Sequence, residues 1–305
     1  MENLPETLYV DPTTIGSSSS AGVESAAVEH TRIEQCIDLL HQPSRREEAL
    51  ALLNKERRSK EMAVLIWNSK NVSFFLLQVR SREFCKAYKL LSPPALGMKE
   101  ATTVCNAVAL LQSMASHPDT KMGIVRAKMP VFIYPFMNTT EQRLKHFDYL
   151  RLTSLGVIGA LVKVEDTNSP EIIHFLLETE VIPLCLRCIE VGGELAKTVA
   201  AFVVSKILLY EEGQRYCGTF PERFYAVAQV LINVVDQFTI KPPLQLLKHV
   251  LNCFLRLSEV SRACDALSKC YPAKLRDPGY LNFACEDPYV RRLADQVLHN
   301  VAGHI

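Results

Sequence analysis

Apolar residues return every three or four positions along most of this chain, and the longest such stretches are evenly spaced. From Thr31, the residues Ile33, Cys36, Ile37 and Leu40 stand at i, i+3, i+4 and i+7, which lines one face of a helix. Ser44 with Glu47 three residues on has the spacing of a capping box. It predicts a second helix carrying Ala49, Leu50, Leu52 and Leu53. A third is expected over Met62–Val79, with a polar interruption at Ser69-Lys70-Asn71, and Pro93-Pro94 forms a stop.

Beyond Met98 a repeat emerges. Apolar helices end around Ser116, Lys163, Tyr210 and Ser258, at intervals of 47, 47 and 48 residues. A polar turn follows each marker, then a short helix, then an apolar–proline step: Met129-Pro130, Ile182-Pro183, Phe220-Pro221 and Tyr271-Pro272. Proline suits the first turn of a helix, where its missing N–H is not needed. Three helices in about 40–47 residues is the armadillo/HEAT period. Such a unit cannot bury its apolar faces alone and must stack on its neighbours. The expected fold is therefore all-α, an armadillo/HEAT-like helical repeat solenoid over 31–303. Helices at Ile33–Arg58 and Pro288–Val301 would close its ends, and the innermost helix of each triplet would line a binding groove. Residues 1–30 read as a disordered N-terminal tail, since Asp11-Pro12-Thr13-Thr14 and Ser17–Ser20 are too polar to offset the entropy of ordering.

Composition narrows the function. With 48% hydrophobic and 22% charged residues, the 305-residue chain can bury a sizeable core. Its 34 Lys and Arg against 33 Asp and Glu leave a net charge of +1, so no global field favours nucleic acid or an anionic membrane. Only 12 glycines argue against Gly-rich cofactor loops and turn-heavy β folds. No apolar run reaches the ~20 residues needed to cross a bilayer. Ten cysteines are scattered through apolar helical stretches, where free Cys behaves as a small hydrophobe, and Met1–Val10 lacks an apolar signal core. A soluble intracellular protein without membrane association is expected.

Catalytic and metal patterns are not evident. The eight histidines form no His-Glu-x-x-His motif. Cys185-Leu-Arg-Cys188 has metal spacing but no partner pair, and its amphipathic setting favours packing. Gly192-Gly193 ends one helix before the next; Val191 and Ala196 stand where a phosphate loop needs glycine. Neither a cofactor nor a metal is expected, and the chain reads as a non-enzyme. The run Phe147–Lys163 is more informative, because Gly156 and Gly159 lie inside an apolar helix. An interior glycine costs ~1 kcal/mol relative to Ala, so two of them suggest close approach by another backbone. Two readings stand: tight packing between repeats, or a slot for a partner helix with Tyr149 and Gly156 on one face.

Tyr149-Leu-Arg-Leu-Thr-Ser-Leu-Gly-Val-Ile-Gly-Ala-Leu-Val-Lys163 closely resembles the hallmark of the Rcd "cell differentiation" family, the armadillo-type subunit of the eukaryotic Ccr-Not deadenylase complex. Val104–Gln112, Ala115–Asp119, Ile182–Arg187, Leu246–His249 and Leu255–Ser258 match it too, so the likeness runs from about Ile33 to Gly303, and its wording is closest to plant members. The resemblance implies a non-catalytic adaptor in mRNA decay, gene silencing and transcription regulation, working in the cytoplasm (P-bodies) and nucleus. By matching positions, Tyr149 and Gly156 fall on a surface for helical peptides. Pro183, Arg223, Arg262 and Ala266 fall on pockets for tryptophans of silencing proteins, and Pro221 stands where the pattern has a Tyr, removing a stacking wall.

The implied partners are the Not scaffold, short linear motifs of mRNA regulators, RNA or single-stranded nucleic acid, and a second copy in a homodimer. The scaffold-docking face departs from the pattern across Trp67–Val79. Lys70 replaces an apolar Phe, Phe74 replaces a small Ala, and Ser81 stands where an apolar residue is expected, with Asn68 beside them. The chain thus resembles a diverged paralogue with weakened scaffold docking. The alternative function is direct nucleic-acid binding through a basic groove of Arg126, Lys128, Arg143, Lys145 and Arg151.

Overall fold

The computed structural model describes residues 23–40, 42, 44–56, 60–68, 84–285 and 287–302. These residues form seventeen α-helices and two 3₁₀ turns, with no strand among them. They divide into two compact units, the first ending at Asn168 and the second starting at Ser169.

The first unit opens with α1 (Val23–Leu39), α2 (Arg46–Lys55) and α3 (Lys60–Asn68). Ile33, Cys36, Ile37 and Leu40 are buried as the spacing predicts. Helix α1 begins well before Thr31, however, because Val23-Glu-Ser-Ala-Ala-Val-Glu29 is rich in good helix formers. The expected tail is thus helical from Val23, and its remainder, 1–22, lies outside the described residues. The capping box is also corrected. Arg45 is the N-cap of α2 and no side chain caps it, while Glu47 is drawn instead to Lys99 at 3.1 Å. The expected helix beyond Asn68, through Val79, lies outside the described residues.

A short α4 (Cys85–Tyr88) leads to α5 (Met98–Ser116), α6 (Pro118–Arg126), the 3₁₀ turn Met129–Ile133, α7 (Tyr134–Met137) and α8 (Lys145–Lys163). Helices α5 and α8, which carry the first two markers, pack along each other at the centre of the unit. Fifteen of the nineteen α8 residues are buried, as a helix covered on several sides requires. Polar side chains fix the surroundings. Asn54 Nδ2 of α2 donates to Asn106 Oδ1 of α5 at 3.0 Å. His117 Nδ1 accepts the Asp119 N–H at 3.2 Å and so caps α6, with Pro118 in its first turn. Gly123 lets α6 lie against Trp67, since a Cβ there would overlap the indole. The buried Lys121 ammonium donates to Asp166 at 3.1 Å and ties α6 to the turn after α8.

The second unit contains α9 (Ser169–Glu178), α10 (Val181–Val191), α11 (Glu194–Ile207), α12 (Glu211–Thr219), α13 (Pro221–Gln237), α14 (Leu244–Ser258), α15 (Ser261–Cys270), the 3₁₀ turn Ala273–Arg276, α16 (Pro278–Ala284) and α17 (Pro288–Ala302). Helix α14 packs on α11, with the third marker just beyond its end, and also on α17. Val204 and Ile207 of α11, and Val250, Leu251 and Phe254 of α14, are fully buried. Asn300 Nδ2 donates to Ser258 Oγ at 2.9 Å and keys α17 to the fourth marker. Lys274 Nζ donates to the carbonyls of Asp236 (2.6 Å) and Phe238 (2.8 Å), closing the C-terminus of α13. The apolar–proline steps split in role. Pro221 begins α13 and Pro183 is the third residue of α10, whereas Pro130 and Pro272 open the 3₁₀ turns.

Two outcomes follow from these contacts. Arg151 is 1% exposed; its Nη1 donates to Thr139 O (3.2 Å), Thr139 Oγ1 (3.1 Å) and Glu141 O (2.9 Å). Arg151→Ala strands three acceptors beside a void and is expected to cost ~3 kcal/mol, read as a fall in thermal midpoint by circular dichroism. His174 lies between Glu212 on α12 (Nδ1, 2.7 Å) and Glu178 (Nε2, 3.3 Å), and the Glu212 hydrogen bond, foremost, raises its pKa above the ordinary 6.5. A raised folded pKa gives stability that is present below the ordinary value and lost as pH rises through the raised one. His174→Gln should therefore flatten the melting temperature against pH just above 6.5.

Candidate functional site

In the first unit, α8 carries Tyr149 half-buried and Gly156 buried, seven residues apart. Two turns of helix bring them to the same side. The close neighbour of Gly156 is a side chain of α5, not the backbone that the paired glycines suggested. A Cβ at 156 would lie 2.9 Å from Gln112 Oε1 and 3.1 Å from its Nε2. The amide is the far end of a flexible chain, so it can swing aside where a backbone could not. Two residues away, the buried Ser154 hydroxyl has no partner.

Of the five basic positions expected in a nucleic-acid groove, Arg126, Lys128, Arg143 and Lys145 are exposed. Arg151 is not. Its guanidinium is turned inward onto the 139–141 loop, with Asp148 Oδ1 at 3.5 Å from Nε, so it cannot meet a phosphate without unpacking α8. A charged side chain inside an apolar run reads as exposed unless the loop it satisfies is known, and that loop lies ten to twelve residues upstream.

The remaining four expected peptide-contact residues fall in the second unit, around α12. Pro183 is exposed in the first turn of α10, close in sequence to the α10 N-cap, Glu180, which adopts a left-handed φ of 57°. The Glu180 carboxylate accepts hydrogen bonds from the Tyr216 hydroxyl on α12 and from Arg223 Nη2 on α13, the latter at 3.0 Å. The Arg223 guanidinium lies over the Tyr216 ring at 3.9 Å and near the Phe220 ring at 5.3 Å. Burial and the adjacent carboxylate push the Tyr216 phenol pKa far up, so it stays a protonated donor. Arg262 and Ala266, four residues apart, share one face of α15; Arg262 is exposed. A Cβ at Gly218 of α12 would lie 3.2 Å from Val260 Cγ1, so the N-cap residue of α15 sits against α12.

Glu180, Tyr216 and Phe220 were not visible as site residues in the sequence. Thirty-six and forty-three residues separate Glu180 from Tyr216 and Arg223, and no glycine marks the left-handed turn. Of the expected scaffold contacts, Asn68 is the exposed last residue of α3, while Lys70, Phe74 and Ser81 lie outside the described residues. Cys185 and Cys188 are both fully buried, and burial raises the Cys185 thiol pKa well above its usual range. Among the described residues no group of three or more His, Cys, Asp or Glu could hold a metal, and no helix is long and apolar enough to cross a membrane.

Comparison with known proteins places this geometry in a lineage. The chain is 46% identical over 282 residues to the cell differentiation protein rcd1 of Schizosaccharomyces pombe, covering 92% of this chain and 96% of that one. It is 43% identical over 261 residues to the protein CAF40 of Saccharomyces cerevisiae, covering 85% and 68%. Among solved structures, a designed armadillo repeat protein superposes with a TM-score of 0.57 at 14% identity, over 88% of this chain and 99% of that one, which shows an armadillo-like fold. Residues 36–301 match the cell differentiation family, Rcd1-like, and the chain belongs to that family.

Proposed function

We propose that this chain is a non-catalytic adaptor subunit of the Ccr-Not complex, acting in mRNA deadenylation and in post-transcriptional and transcriptional control in the cytoplasm and nucleus. The observation that carries this reading is the family match through residues 36–301, which spans both helical units. The disposition of the side chains supports it. Tyr149, Pro183, Arg223 and Arg262 stand at least partly exposed on well-packed helices, the arrangement by which a rigid scaffold offers grooves to short motifs. The α5–α8 face, where the Gln112 amide is the nearest neighbour of Gly156, suits a helical peptide once that amide moves aside. The α12 face suits motifs with aromatic residues. Docking to the Not scaffold is weakened by Lys70 and Phe74, which bring a charge and added bulk where the family pattern has Phe and Ala.

The test is affinity purification of the tagged full chain from native tissue. Ccr-Not subunits are expected to co-purify, and their absence would count against the reading. In vitro, the natural chain should bind the Not docking segment weakly, and the Lys70→Phe, Phe74→Ala double variant should bind about ten-fold or more tightly, on the scale of one restored aromatic anchor. Gly156→Trp should abolish capture of helical motif peptides while the melting temperature holds within about 3 °C, a shift worth no more than ~1 kcal/mol in a domain of this size. A large fall in melting temperature would assign Gly156 to packing between repeats instead.

A further inference from the structure

A stack of helices stays soluble by ending in a polar face, yet the C-terminal end of the second unit leaves four large apolar side chains in water. Ile240, in the loop before α14, is 67% exposed, and Leu244, the first residue of α14, is 40% exposed. Phe283, near the end of α16, is 62% exposed, and Tyr289, in the first turn of α17, is 45% exposed. Side-chain contacts bring them to one place. The Tyr280 hydroxyl on α16 donates to Thr239 O, next to Ile240, at 3.1 Å. Arg291 of α17 donates to Asn282 Oδ1, next to Phe283, at 2.7 Å. The Lys248 ammonium, one turn along α14 from Leu244, lies 5.1 Å from the centre of the Tyr289 ring.

Helices α14 and α17 run parallel, since Lys248 meets Tyr289 near their starts and Ser258 meets Asn300 near their ends. Both therefore open on this edge. Each brings an exposed apolar residue and, three or four positions on, a cation: Leu244 with Lys248, Tyr289 with Arg292. Among the described residues neither cation has an acidic partner. The acids nearby are engaged elsewhere. Asp277 accepts the Gly279 N–H, Asp287 accepts those of Tyr289 and Val290, and Asp295 pairs with Arg291 at 3.2 Å. Asp236 is exposed, with the Lys274 ammonium on its carbonyl. Single exposed apolar residues need no explanation. Four that converge beside two unanswered positive charges describe a surface for a ligand that is apolar and acidic at once.

We propose that the α14–α17 edge docks a short acidic segment of a partner protein. Its large apolar side chains rest on Ile240, Leu244, Phe283 and Tyr289, and its carboxylates answer Lys248 and Arg292. Packed helices lie about 8–10 Å apart and an extended chain rises about 3.3 Å per residue, so apolar residues at every third position match the two helix starts. Lys248 is both a partner for a carboxylate and the brace on the Tyr289 ring. A membrane or a nucleic acid would call for a broader field than two cations in a chain of net charge +1. The edge shares no residue with the α5–α8 face or with the contacts around Arg223, and it goes beyond the adaptor reading.

The probe is a short fluorescein-labelled peptide of Asp, Glu and Ser with Leu at every third position, titrated against the full chain by anisotropy. One twin has Ser for every Leu, and another has Asn and Gln for the acids. The natural chain should bind the probe and bind both twins far more weakly. Phe283→Ser with Tyr289→Ser should weaken binding about ten-fold or more, the scale of a lost aromatic anchor, with little change in melting temperature because both rings are largely in solvent. Ile240→Ser, in a loop, should also weaken it and serves if the double variant melts early. Lys248→Gln with Arg292→Gln should weaken binding and flatten its dependence on salt. Leu209→Ser, which removes an exposed apolar residue beyond the end of α11, should bind as the natural chain does. Equal binding of the probe and either twin, or undiminished binding by both the Phe283/Tyr289 and the Ile240 variants, would overturn the proposal. So would a natural chain that sediments as a dimer and a Phe283/Tyr289 variant that sediments as a monomer, which would give this edge to a second copy. Co-purification of Ccr-Not subunits bears on none of these outcomes.

Discussion

Burial of one long helix in each repeat against its counterpart in the next is the constraint on which the rest of this structure depends. Helices α5 and α8 do this in the first unit, and α11, α14 and α17 in the second. Each fully buried Leu, Ile, Val or Phe contributes roughly 1.5–3 kcal/mol relative to exposure. Residues such as Leu110, Leu155, Ile158, Leu251 and Phe254 can gain that only from a neighbouring element, because one helix cannot cover itself. The near-constant spacing of the four markers follows. Loops and short helices vary in length, but a helix that slips out of step exposes its apolar side.

The polar residues within these packed helices act as locks more than as stabilisers. Asn54 with Asn106, Asn300 with Ser258, and Lys121 with Asp166 each join elements that apolar packing alone would let slide. A buried hydrogen bond adds only ~1 kcal/mol, but a misplaced helix would leave both partners unsatisfied at greater cost. Arg151 performs the same task for a loop. It lets the irregular 139–141 segment come close to α8 with its carbonyls paired.

The fold was largely legible because repeat burial writes itself into sequence as period and interval. Helix α8 could be read directly from the run Phe147–Lys163, and the prolines marked where new turns begin. Local signals that compete with tertiary contacts were less legible. Ser44 and Glu47 have the spacing of a cap, yet Glu47 answers to Lys99, more than fifty residues away. At the α12 junction the sequence offered Pro183, Arg223, Arg262 and Ala266 through family likeness, but not the residues that hold Arg223. That contact set is assembled by three helix ends, and none of its members carries a local pattern. Gly156 was legible as a point of close approach, though not as one closed by a movable amide.

The left-handed backbone at Glu180 sets evolution a choice that stability alone would resolve differently. Glycine at that position would remove about 1 kcal/mol of conformational strain and leave helix α10 with an ordinary start. It would also delete the carboxylate on which Tyr216 and Arg223 converge. A lineage selected only for a sturdier scaffold would drift toward glycine, whereas one selected for a fixed guanidinium keeps the strained glutamate. Position 180 is thus a place where an unstrained backbone and a fixed side-chain network pull apart, and among relatives its side chain would record which of the two pressures prevailed.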